Sequence, residues 1–300
     1  MMRAALLGVA LLAAFGAGQT ALAQRSGAAA QTPRSSAPID LTGYWVAVVS
    51  EDWRHRMATA RKGDYESLPL NAEGRRVADG WDLAADNAAG LQCKAFGVGG
   101  LMRQPGRLHI TWADDDTLRV EFDAGTQTRL LELGAVAAPA GEPTWQGFSR
   151  AEWQRPPGGS QAPVRAQIGN SAGPVAPGGG GRGQRGGPPP SSSLTEGGSL
   201  KVVTTGFRAG YLRKNGVPYS EAATITEYIH RLPDAPNGDV WLHVLTIVED
   251  PRYLNEPFLT STHFKREANG SKWNPTECRT APPPPPVATR PSAAPPLPLP

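Results

Sequence analysis

The sequence predicts a mainly β protein, an antiparallel meander of strands that closes into a barrel. Three observations carry that expectation. Eight short segments are rich in Val, Ile, Thr, Trp, Tyr and Phe, the side chains that suit a pleated, half-buried surface. Turn residues separate them at the short, regular spacing of sandwiches and barrels. Stretches too poor in apolar residues to build a core flank and interrupt them, which confines folding to one region of about 195 residues, enough for a single core. An open sandwich is the rival architecture.

In chain order, MMRAALLGVALLAAFGAGQTALAQ joins one arginine, an apolar run and Ala21-Leu22-Ala23. That is the pattern of a secretory signal peptide over 1–23, cleaved after Ala23 and too short to serve as a membrane span. No cysteine stands immediately after the cleavage site, and no later apolar run has membrane-spanning length. The mature chain is therefore expected to be periplasmic or secreted, with no transmembrane segment. Residues 24–39 read as a disordered lead. A single β-barrel domain follows over 40–280, interrupted by a Gly-, Pro- and Ser-rich insertion at 155–198. The tail, 281–300, is proline-rich. The insertion and the tail lack the apolar content to offset the entropy of ordering them, so both are expected to be disordered or extended. The tail is a possible contact for a cell-envelope partner.

Strands are expected at 41–49, 107–112, 117–122, 128–133, 199–207, 223–232, 240–249 and 258–266, with a further one around 144–153. Asp114, Asp115 and Asp116 make a hairpin turn between the second and third, because they lack the spacing and terminal glutamate of a calcium loop. NGD at 237–239 turns another hairpin. One short helix is expected, capped by Asn71 and carrying Val77, Trp81 and Ala84 at helical spacing, with Trp81 in the core. Glu249 and Asp250 are adjacent, so a strand sends them to opposite faces, and Pro251 ends that strand. The pair reads as a corner, with its carboxylates on turn amides or in solvent.

Export changes the meaning of Cys93 and Cys278, the two cysteines of the chain. In an oxidising compartment a pair is expected to form a disulfide.

Several segments resemble known proteins. Gly43-x-Trp45 on the first strand resembles the signature of lipocalin-like barrels, in which the tryptophan packs across one end under a basic side chain from the last strand, here Lys265 or Arg266. The chain is also similar to an uncharacterised family of secreted bacterial β-rich proteins. That family shares a cysteine before a glycine-rich loop (CKAFGVGGLMRQPGRLHI), G-x-S-x-x-x-W (Gly147 to Trp153), L-x-V-x-T-T-G-F (Leu200 to Phe207) and G-x-P-x-S-E (Gly216 to Glu221). It further shares E-x-x-x-R (Glu227 to Arg231) and an Asp-Pro corner (Asp250-Pro251). The likeness covers 40–280 outside the insertion. It implies a lipocalin-like fold and an exported location, and it implies no activity.

Local chemistry is sparse. Thirty basic and twenty-seven acidic residues give a net charge of +3, and two arginines in GGGGRGQRGG release few counterions, so nucleic acid is not an expected partner. The five histidines form no H-x-H, no H-E-x-x-H and no cluster with cysteine, so no metal site has a sequence signature and no cofactor is expected. GFSRAEW is not a nucleophile elbow. EDWRHRMATARKGDY (51–65) mixes basic and aromatic residues and reads either as a solvated loop balanced by Glu51, Asp52 and Asp64 or as an anion-attracting barrel mouth. His243 shares a strand face with Trp241, Leu245 and Ile247, and that face is expected to be buried. Glu227 alternates with Ile225 and Ile229 and is expected to pair with Arg231. The functional expectation is a non-catalytic barrel that binds a small, partly apolar molecule, lined by Trp112, Glu227, Tyr228 and His243. The alternative is a small-barrel hydrolase or isomerase that uses His109, Glu227 and His243.

Overall fold

Period-two alternation survives in almost every predicted strand, and it gives a wall with one dry face and one wet face. A computed structural model describes residues 31–155 and 197–283. Among these described residues eleven strands form: β1 Gly43–Val48, β2 Arg107–Trp112, β3 Thr117–Phe122, β4 Gln127–Glu132, β5 Phe148–Gln154, β6 Ser199–Thr205, β7 Gly210–Arg213, β8 Val217–Tyr219, β9 Thr224–Arg231, β10 Trp241–Glu249 and β11 Phe258–Glu267. Nine of them close a barrel in the order β1-β11-β10-β9-β6-β5-β4-β3-β2. Closure leaves the barrel without a wholly unpaired edge strand, although β4 and β5 meet over only two residue pairs and β7–β8 keeps its own edges.

The structure departs from a simple antiparallel meander in two places. β4 and β5 pair in parallel, Leu131 opposite Ser149, because residues 133–147 cross from one end of the barrel to the other before β5 begins. β7 and β8 leave the wall as a separate hairpin, so β6 pairs directly with β9. The helix capped by Asn71 is α2, Ala72–Asp79, where the Asn71 side chain accepts from the Gly74 amide; Trp81 beyond it is buried as expected. One helix was too few. α1 Trp53–Met57, α3 Leu83–Ala88, a 3₁₀ turn Gln92–Phe96 and α4 Val98–Leu101 also form. These helices carry only weak apolar periodicity: α4 is wholly buried, whereas α3 buries no residue and starts on an Asp82 side chain that accepts from the Ala84 and Ala85 amides. Gly99 in α4 leaves no room for a side chain, since a Cβ there would lie 2.6 Å from the Tyr219 ring.

The interior is filled. Trp45, Leu108, Ile110, Leu118, Val120, Phe122, Leu131, Leu200, Val202, Ile229, Leu242, Val244 and Phe264 form one apolar cluster within the wall. A second cluster of Phe207, Leu212, Tyr219, Ile225, Val248 and Phe258 covers the end where β9 begins. At the opposite end Trp112 and Trp153 lie 6.4 Å apart, and Trp153 Nε1 donates to the Pro33 carbonyl at 3.0 Å. The part of the lead at 32–39 is therefore placed on the barrel rather than free of it, with Pro38 buried and Ile39 against the core. The predicted signal segment, most of the insertion (156–196) and the tail from 284 lie outside the described residues.

Trp45 is fully buried, its Nε1 donates to the Leu41 carbonyl, and the Arg266 guanidinium lies 5.7 Å from its ring centre. Gly43 has φ +116°, and a Cβ there would meet Arg266 Nε at 3.3 Å, so glycine serves both the conformation and the close approach.

The corner after β10 is also as expected. Glu249 is exposed, whereas Asp250 is buried and accepts from the Ser220 amide at 2.6 Å, the Ser220 hydroxyl at 2.8 Å and the Arg252 amide at 2.9 Å. The G-x-P-x-S-E turn and the Asp-Pro corner are thus one hydrogen-bonded unit. Cys93 and Cys278 form a disulfide across 185 residues of chain.

Glu227 does not pair with Arg231. Alternation sends it inward, where Arg129 meets it with Nη2 at 2.6 Å from Oε2 and Nη1 at 3.2 Å from Oε1, both side chains about 1% exposed. Arg231 stays at the rim and pairs with Asp234. Ser149 and Thr204 bond to each other and accept from Arg129, while Arg129 Nε has no acceptor among the described residues.

Removing one member of this pair strands a buried charge. Arg129→Met is expected to cost about 3–5 kcal/mol in urea unfolding, and the double variant Arg129→Met/Glu227→Met much less, because it removes both charges. Cys93→Ser/Cys278→Ser is expected to lose on the order of 2–5 kcal/mol by the same measurement, reflecting the large loop released in the unfolded chain.

Candidate binding site

The outer surface of β1, β11, β10 and β9 carries groups that a solvent-facing wall does not require. On β10 the inward positions are Leu242, Val244, Thr246 and Val248, so Trp241, His243, Leu245 and Ile247 face outward and are half-buried. This corrects the expected burial of the His243 face. A one-residue shift of phase exchanges the two faces, and the alternating apolar residues on both sides of β10 leave that phase ambiguous in sequence. Tyr228 faces outward for the same reason, between the inward Glu227 and Ile229. Of the four expected lining residues, Glu227 is inside, Trp112 is at one end, and Tyr228 and His243 are on the exterior. They do not form one cavity. His109, Glu227 and His243 are not brought together either: His109 is on the outer face of β2, bonded through Nδ1 to Glu121 at 3.0 Å and stacked on Tyr44 at 4.0 Å.

Strand register builds an arrangement that no linear motif announced. His243 lies directly opposite His230 on β9 and His263 on β11. Their rings stack with centroids 6.0 Å and 4.8 Å apart. His263 Nδ1 hydrogen-bonds Glu51 Oε1, and Glu51 Oε2 pairs with Arg56 Nη1 at 3.0 Å. Below this row lie Leu245 opposite Tyr228, and Ile247 opposite Leu259, which is 58% exposed. Sequence reading missed the row because it depends on pairing between strands far apart in the chain.

Burial lowers the pKa of His230, and burial with the neighbouring His263 and His230 lowers that of His243, against a small opposing pull from Glu51. Both histidines are thereby favoured in the neutral form. Burial pushes Glu51 up, but a backbone amide and the His263 bond outweigh it and hold the carboxyl below its usual range.

Beside the row, a groove of about 470 Å³ opens between β1, β11 and residues 268–272. Val46 and Ala268 supply apolar surface, and Lys265, Arg266 and Lys272 face a single carboxylate, Glu267. Lys265 sits opposite both Val46 and Trp241, so groove and histidine row share one continuous face. Lys265 pairs with Asp239 at 2.8 Å, and Arg107 with Glu267 at 2.8 Å. The 51–65 segment is more than a solvated loop: Arg56 is buried on Glu51, and Arg103 and Arg213 converge on Asp52 at 2.7 Å and 3.5 Å. Comparison with family models, curated proteins and solved structures yields no match for this chain.

The unfolded chain binds a proton at histidine near pH 6.5, before the folded His243 does. Stability is therefore expected to fall as pH drops below about 6.5, through the window down to the lowered folded pKa, and to be independent of this group above it. Urea midpoints measured between pH 7.5 and 5 should fall less steeply in His243→Gln than in the unaltered chain.

Proposed function

We propose that this chain is an exported, non-catalytic barrel protein that binds a small, partly apolar molecule bearing negative charge. The binding site in this reading is the exterior groove and the adjoining aromatic-histidine face rather than the lumen. The groove carries the proposal, because its volume suits a small ligand and its lining joins apolar surface to Lys265, Arg266 and Lys272, which pair with Asp239, Asp40 and Glu267 at its margins and can turn to an anion in their place. Tyr228 and His243 keep a place as neighbours of the ligand on the same face, while Glu227 and Trp112 act in holding the wall. Export is supported by the N-terminal pattern and by the disulfide, which persists in oxidising compartments. The Gly43, Trp45 and Arg266 arrangement supports the lipocalin-like reading. The parallel β4–β5 pair and the excluded β7–β8 hairpin set this barrel apart from a plain up-and-down one.

Native mass spectrometry of the purified chain, followed by titration with fatty acids and aromatic carboxylates, tests this. A 1:1 complex is expected with such amphipathic anions, and Lys265→Glu/Lys272→Glu is expected to weaken it by about tenfold or more, because two attractive charges become repulsive. Equal binding by that variant, or preference for cationic probes, would refute the groove as the site.

A further inference from the structure

A separate cluster lies between β1 and α2. His55 in α1 is 8% exposed, and its Nδ1 has no hydrogen-bond partner among the described residues. Asp64 and Glu66 follow on the next turn, on either side of Tyr65, which is buried in the second apolar cluster and donates its hydroxyl to Asp79 at 2.8 Å. One imidazole nitrogen and one oxygen from each of the two carboxylates all lie within 4.8 Å of one another. The β7–β8 turn holds this backbone: Asn215 Nδ2 donates to the carbonyls of Arg61 and Asp64, each at 3.0 Å, and Arg213 Nη1 donates to the carbonyl of Glu66 at 2.8 Å. These contacts hold the segment through its backbone carbonyls and do not use the side-chain donor atoms themselves.

We propose that His55, Asp64 and Glu66 form a binding site for one divalent first-row transition-metal ion, with Zn²⁺ the best match to the donors. One imidazole and two carboxylates make a three-ligand set of the kind that leaves a fourth, tetrahedral position for water. Exposed Glu66 puts that position toward solvent. A buried imidazole nitrogen without a partner is a cost that a metal bond removes. A cation already occupies the carboxylates. Arg54 pairs with Asp64 and lies 3.9 Å from Glu66, yet its side chain is 57% exposed and free to swing into solvent. An incoming ion competes with Arg54 for these two oxygens.

Calorimetric titration of the EDTA-treated full chain with ZnCl₂, and visible absorption on adding CoCl₂, test the site. The expected result is one ion per chain with the intense visible bands of four-coordinate Co²⁺. Asp64→Asn and Glu66→Gln, both on the accessible side of the cluster, should each weaken binding by about tenfold or more through loss of a charged ligand. Arg54→Ala should tighten it, a gain that a site elsewhere would not show. His243→Gln should leave it unchanged, which separates the cluster from the histidine row. Absence of stoichiometric binding, binding insensitive to Asp64→Asn and Glu66→Gln, or loss of binding in His243→Gln overturns the proposal.

Discussion

A closed wall forces each strand to commit one face to the inside, and the rest of this molecule follows from that commitment. With nine strands joined into a closed wall, the inward positions share one enclosed volume. Trp45, Phe122, Leu200, Leu242 and Phe264 fill that volume from five different strands. What remains for recognition is the exterior. The functional surfaces accordingly lie where strands present half-buried side chains outward and where loops fold back across the wall.

Among the described residues, the strongly polar feature inside the wall is the Arg129–Glu227 pair with Ser149 and Thr204. A bidentate, hydrogen-bonded pair offsets much of the desolvation of both charges, but an apolar pair of similar volume fills such a space at no greater cost. Its better-founded role is register. Arg129 on β4 and Glu227 on β9 meet across the barrel only if both strands keep their phase, and a one-residue slip of either turns a charge to the wrong face.

Outside the wall, charge is arranged in networks rather than scattered. Glu51 links His263 to Arg56, and Asp52 gathers Arg103 and Arg213. The 51–66 segment is thereby tied to β11, to the loop after α4 and to the β7–β8 hairpin at once. That bracing presents the His55 cluster on one side of the segment and brings Glu51 to the end of the histidine row on another. Two partly desolvated histidines held neutral beside a third make that face sensitive to mild acid.

The sequence by itself determined the nine strands of the wall, the hairpins at Asp114–Asp116 and at 237–239, the Asn71 cap, the Asp250 corner and the Cys93–Cys278 bridge. Each of these is set by nearest neighbours, by pleat alternation or by the scarcity of a residue type, and such constraints are written in short stretches of chain. The partner of Glu227, the side on which Tyr228 and His243 lie, the parallel β4–β5 pairing and the convergence of His230, His243 and His263 were decided only in three dimensions. They depend on which strands become neighbours and in what register, and for β10, apolar on both faces, local pattern leaves the inward side open. Closure chose it, because only the phase with Leu242, Val244 and Val248 inside fills the barrel.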